Sequence, residues 1–187
     1  MGRIILAGIA GSIAMFVMMS ILHMSPVAQI GFSQMANDTP ALDALQKATG
    51  NKPGLYVFPT VDMKAKDAMA QMDARMKVEP FGIMAYQPPS ALPGGFQLKL
   101  LVREFASEIV QSLVAALLLS FAVLATYWGR VGFVVLIGAV AAIATNVSYW
   151  NWYGFSTSYT FASIGIELAS FFAAGLVLAV LIKPRRV

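Results

Sequence analysis

The sequence predicts an α-helical membrane protein: four transmembrane helices with a small α+β exported domain between helices 1 and 2. Three observations predict it. Of 187 residues, 58% are hydrophobic and only 12% are charged, whereas about a quarter of an ordinary soluble domain is charged. Four apolar windows are each long enough to cross a bilayer, which takes about 20 residues. The basic residues of the short flanks all fall on one side if the helices alternate. A soluble chain of this length buries a core, yet it cannot hide this much apolar surface, so lipid must cover the rest.

The four windows are residues 4–24, 105–128, 131–150 and 161–182. Only helices or closed barrels satisfy backbone polar groups in lipid. Barrel strands would alternate over about ten residues, so continuous runs of this length are helices. The first window has an apolar core longer than the h-region of a signal peptide, and Pro26-Val27-Ala28 is a poor cleavage site. Residues 1–24 are therefore expected to be an uncleaved anchor.

Arg3 precedes the first helix, Arg130 falls in what reads as a tight turn between the second and third, and Lys183, Arg185 and Arg186 form a basic tail over residues 183–187. Residues 151–160, on the opposite side, carry no charge. The positive-inside rule then places both termini in the cytoplasm and residues 25–104 in the periplasm or outside the cell. That exported segment carries eight Lys/Arg and seven Asp/Glu. The net charge of +4 thus arises from the cytoplasmic flanks. It reports topology, and nucleic acid is not an expected partner.

Within residues 25–104 the order reads helix, strand, helix, strand. Thr39-Pro40 is a helix start, with an N-cap residue and then proline in the first turn, and Gly50-Asn51 is the stop. Leu55-Tyr56-Val57-Phe58 is a short strand closed by Pro59. Asp62 is expected to cap a second helix reaching about Lys77, with Ala65, Met69, Met72 and Met76 on one apolar stripe. Residues 81–86 form the second strand. Gly94-Gly95 reads as a hinge, and from Phe96 the pattern continues in helical phase into the second membrane helix.

Three short elements carry a likeness. Tyr56-Val57-Phe58-Pro59-Thr60 is similar to a Y-F-F-P-G element, with Thr60 in place of the glycine. Residues 79–88 are similar to a G-P-x-G-L-x-x-Y-x-P element, and Ser148 to Phe155 to an S-Y-W-N-W-x-G-F turn. In these the chain resembles a family of small bacterial four-helix membrane proteins to which no activity is assigned. The resemblance spans most of the chain. It implies a bacterial inner-membrane location and the same topology, and it implies no catalytic residues.

Ionisable groups in a membrane helix cost roughly 2.5–3.5 kcal/mol at mid-bilayer, so each requires an account. His23, Glu108, Asn146 and Glu167 are expected in one layer near the outer interface, with Glu104 at the surface. Together they suggest a polar pocket in which Glu108 and Glu167 share a proton or, with His23 and Asn146, hold a cation. The simpler reading, which we prefer from sequence, is that Glu104 and Glu108 are interfacial and solvated and that Glu167 is neutral or hydrogen-bonded to Asn146 or a tyrosine. Tyr149, Trp150, Trp152 and Tyr153 are candidates for contact with a lipid or cofactor. Their plainer reading is the aromatic belt that anchors helix ends at headgroups. The methionines of the first helix and of the exported segment read as packing residues. Gly165, Ala169 and Ala173, like Ala7 and Gly11, form small-residue faces that suit close helix approach.

The chemistry available is narrow. No cysteine is present, which excludes disulfides, thiolate metal sites and cysteine nucleophiles. One histidine cannot form a multi-histidine metal site, so no metal site is expected. There is no phosphate loop, dinucleotide fingerprint, nucleophile elbow or HExxH motif, and no cofactor is indicated. The sequence therefore favours a non-catalytic accessory or scaffold subunit, with membrane lipids and either other membrane subunits or itself as partners. The alternatives are a small oligomeric ion-coupled transporter using Glu108 and Glu167, or a lipid- or cofactor-binding membrane protein.

Overall fold

The computed structural model describes residues 1–89 and 93–183, with the side chains of residues 93–97 left aside. Two units are distinct: Met1–Phe32 with Leu92–Val187, and Ser33–Ala91. The first is built on α1 (Gly2–His23), α4 (Pro93–Phe121), α5 (Tyr127–Tyr153) and α6 (Thr157–Leu181), with a 3-10 turn at Pro26–Gln29 after α1. The second holds α2 (Thr39–Thr49), β1 (Gly54–Phe58), α3 (Ala68–Met76) and β2 (Gly82–Tyr86). α1, α5, α6 and the Leu98–Phe121 part of α4 are long and apolar enough to cross a membrane.

In the smaller unit, β1 and β2 pair antiparallel, with Gly54 opposite Tyr86 and Phe58 opposite Gly82. Tyr56 donates to the Lys52 carbonyl (2.9 Å) and Tyr86 to Asn51 Oδ1 (3.0 Å), tying the strands to the end of α2. Left-handed Gly50 and Asn51 end α2 as expected. Its start differs: Asp38, not Thr39, occupies the N-cap position, without a side-chain cap bond. Asp62 does not open a helix either. Its carboxylate accepts from the Lys64 amide (3.0 Å) in a local turn, and α3 begins only at Ala68. An aspartate satisfied two residues on closes a turn as readily as it caps a helix. Within α3, Met69 stays exposed, so the anticipated methionine stripe is not a buried core. Arg75 forks onto Glu79 and also donates to the Thr60 carbonyl (2.6 Å). That hydrogen-bonded pairing lowers the Glu79 pKa and raises that of Arg75.

In the larger unit the packing order is α4–α1–α6–α5, while α4 and α5 touch only sparingly. Small residues set the close approaches. A Cβ on Gly8 would lie 2.6 Å from Leu113, and one on Gly138 would lie 2.5 Å from the Phe171 ring. Gly11 is pressed between Ser112 and Leu178. The Ala7/Gly11 face is thus internal to the bundle. Gly165 instead faces open space, while Ala173 further along α6 is buried.

The helix boundaries move from their expected places. The apolar run 105–128 is broken: α4 stops at Phe121, and Thr126 caps α5 by accepting from the Gly129 amide (3.0 Å). Arg130 therefore sits in the first turn of α5 and not in a tight loop. α5 continues to Tyr153 and α6 starts at Thr157, so the expected loop 151–160 shrinks to three residues. Gly94 and Gly95 lie within α4, where a hinge was expected. Arg185 and Arg186 lie outside the described residues.

The end of the bundle that holds Arg3 and Arg130 is closed by backbone capping. Arg130 donates to the Ala179 carbonyl (3.0 and 3.2 Å) and to those of Leu124 and Ala125. Arg3 donates to the Leu181 carbonyl (2.8 Å). Both bond carbonyls that the last turn of α6 leaves without helical partners, and both place positive charge at the negative end of its dipole.

Gly138→Leu should force α5 away from α6 and lower stability by about 1–3 kcal/mol, the usual penalty of overpacking. Gly132→Leu, at a position with open space around it, should leave the melting temperature unchanged. Thermal unfolding of the detergent-purified variants makes the comparison.

Candidate functional site

At the opposite end of the bundle, α5 runs into α6 through the Ser148–Phe155 element. Gly154 takes a left-handed conformation (φ 72°) and ends α5. Ser156 then caps α6 by accepting from the Tyr159 amide (3.2 Å). The Ser156 hydroxyl also donates to the Gly31 carbonyl (3.2 Å), and a side chain at Gly31 would collide with the Tyr159 backbone. Edge and tilted contacts run from Phe32 through Tyr159, Phe155 and Tyr149 to Tyr153, with ring centroids 5.2–5.8 Å apart. Trp150 donates to Thr157 (3.2 Å), and Trp152 is 78% exposed. Tyr149, Trp150 and Tyr153 thus serve first to fasten the α5–α6 turn, and Trp152 projects free of it.

The four expected pocket residues are not brought together. His23 lies between α1 and α4, donating from Nδ1 to the Met19 carbonyl (3.0 Å), in a cavity shared with Arg103 and Glu104. Asn146 and Glu167 line a different cavity of about 440 Å³. It occupies the seam that α4 and α5 leave between them, with Gln111 and Val114 from α4, Ile137 and Thr145 from α5, and Glu167 and Phe171 from α6. Asn146 Nδ2 donates back to the Ala142 carbonyl (2.9 Å) and not to Glu167.

Glu108 departs furthest from expectation. It is 1% exposed, not interfacial and solvated. The physical reason is its face on α4: Glu108 lies in line with Ser112, Ala115 and Leu119, all buried, on the side of α4 that packs against α1. Neither carboxylate oxygen of Glu108 has a hydrogen-bond partner. The hydroxyls of Ser112, one turn further along α4, and of Ser170, three residues after Glu167, are buried and unpartnered too. Among the described residues, no three His, Cys, Asp or Glu side chains gather as metal ligands.

The site is therefore two carboxyl groups at different exposures, one sealed in the bundle and one on the wall of a cleft. Sequence reading found both. It passed over Gln111, Ser112, Thr145 and Ser170. For Gln111, Ser112 and Ser170 the signal was present, since polar side chains at i+3 or i+4 from an acid in an apolar helix share its face; Thr145 lies on α5, which carries no acid.

The chain was compared with protein-family models, curated proteins and solved structures, and none of them matches it.

A buried polar group without a partner is destabilising by about 1–3 kcal/mol as measured by mutation in proteins. Glu108→Met, which conserves approximate volume and removes both orphaned oxygens, should raise unfolding free energy by about 2 kcal/mol. Denaturation in detergent micelles checks this. A loss of stability would mean that Glu108 is a structural element of the core.

Proposed function

We propose that this is a non-catalytic, multi-pass protein of the bacterial inner membrane that works as a small ion-coupled transporter through Glu108 and Glu167. The single observation that carries the reading is a fully buried, unpartnered Glu108 in a bundle whose open seam is lined by Glu167. Carboxyl groups inside membrane helices mark ion and proton pathways. A carboxyl group that no protein donor satisfies is free to exchange a proton for a cation. Four helices are few for such a task, so the reading includes self-association.

Location and orientation are part of the proposal. Four helices of sufficient length and apolarity support a membrane protein. Arg3 and Arg130, both at one end of the bundle, support cytoplasmic termini and an exported residue 25–104 segment. The absence of native cysteine makes a direct test available. In intact cells a membrane-impermeant maleimide should label Lys52→Cys and spare Val123→Cys until the membrane is opened. The reverse pattern overturns the orientation.

A second reading, the accessory subunit, is favoured by the same seam. None of the described helices of the bundle closes the gap between α4 and α5, so a helix of a larger complex fits there. Proteoliposome flux separates the two readings. The purified chain should pass protons or alkali cations, and Glu167→Gln should reduce the rate at least tenfold. An inactive wild type that extracts only as a stoichiometric complex would replace the first reading with the second.

A further inference from the structure

The seam between α4 and α5 has a chemistry that narrows its occupant. Glu167 brings a carboxylate to its wall, and Gln111, Thr145 and Asn146 supply polar side chains around it. Phe171 adds an aromatic ring. No lysine, arginine or histidine lines the cavity. The one ion pair among the described residues, Arg75 with Glu79, lies in the other unit. Among the described residues, Glu167 thus has no ion-pair partner.

Acid, polar groups and an aromatic ring set in otherwise apolar walls match a cation with a hydrophobic body. The carboxylate supplies the opposite charge, and the apolar walls, Phe171 included, take the apolar part. The volume of about 440 Å³ falls within the roughly 300–1,000 Å³ range of small-molecule sites. A zwitterionic lipid headgroup suits the site less well, because its phosphate would find no basic side chain there. Glu167 also lies about 15 Å into α6, deeper than a headgroup sits.

We infer that the α4–α5 cleft is a binding site for a lipophilic organic cation of ammonium or phosphonium type, with Glu167 as its counter-charge. The inference rests on the proposed role of Glu167 and names the substrate class of that site.

The probe is radiolabelled tetraphenylphosphonium, and the sample is the full chain purified in detergent and studied by equilibrium dialysis. Saturable binding is expected, weakened at least tenfold by Glu167→Gln. Ala141→Trp, at an exposed position lining the cleft, should block binding while leaving Glu167 in place. Gly132→Leu should bind as wild type. Tetraphenylborate, matched in shape and opposite in charge, should not bind. Unchanged gel-filtration and melting profiles establish that each variant is folded. Equal binding of the two probes, or full binding by Glu167→Gln, overturns the inference. So does displacement of the cation by phosphatidylethanolamine, which would make the occupant a lipid. Proton or alkali-cation flux without phosphonium binding would refute the organic cation and leave the ion-coupled reading standing. Phosphonium binding lost in Glu167→Gln, without ion flux of any kind, would keep the cleft and refute the coupling.

Discussion

The bundle depends on α6, the helix buried on the most sides, and on the small residues that let its neighbours reach it. Ala173, Ala174, Gly175 and Ala179 are buried along it, and Gly11 and Gly138 offer matching clearance from α1 and α5. Side chains this small give little apolar area each. They bring backbones close, which is how helices associate where lipid removes the hydrophobic drive. α6 is then fastened at both ends. Arg3 and Arg130 take its last carbonyls, while Ser156 caps its first turn and bonds Gly31. One helix is held by α1 and α5 alike, and α4 is attached through α1. The seam between α4 and α5 follows from that arrangement.

The same arginines answer two questions at once. Their asymmetric placement marks one side of the proposed membrane, and their guanidinium groups complete the backbone bonding of α6. A lysine at position 130 would preserve the charge bias. It would lose the planar fork that reaches three different carbonyl groups from one side chain.

Much of this was legible in the sequence, and the failures have physical causes. Four helices were evident because long apolar runs admit no other backbone solution in lipid. Their ends were not, because hydropathy marks the membrane and not the helix. Residues 122–125 are as apolar as the helix before them, so nothing in the run marked the stop at Phe121. Trp152 and Tyr153 are polar enough to leave a hydropathy window, yet they continue α5. In the small unit, Gly50-Asn51 was decisive because few residues tolerate that conformation. Asp62 was ambiguous because the same carboxylate serves a turn or a cap. For the site, Glu108 and Glu167 were visible as charges in apolar runs. Their separation from His23 was not, since it depends on the order α4–α1–α6–α5, which no local pattern encodes.

That order also bears on what Glu108 is for. A carboxyl at a bundle surface can be rationalised by solvent, and one in a salt bridge by its partner. Glu108 has neither, and Ser112 and Ser170 stand equally unpartnered nearby. Fold formation does not call for such a set: α4 would pack on α1 as well with apolar side chains at these positions, because Gly8 and Gly11 make the approach. Unsatisfied polar groups retained in a core that small residues already specify are most simply understood as kept for function. Glu167 lies on the wall of the seam that α4 and α5 leave between them. A buried carboxyl that the fold neither pairs nor needs, in a bundle with a second carboxyl on the wall of a polar cleft, is the observation on which the proposed ion coupling rests.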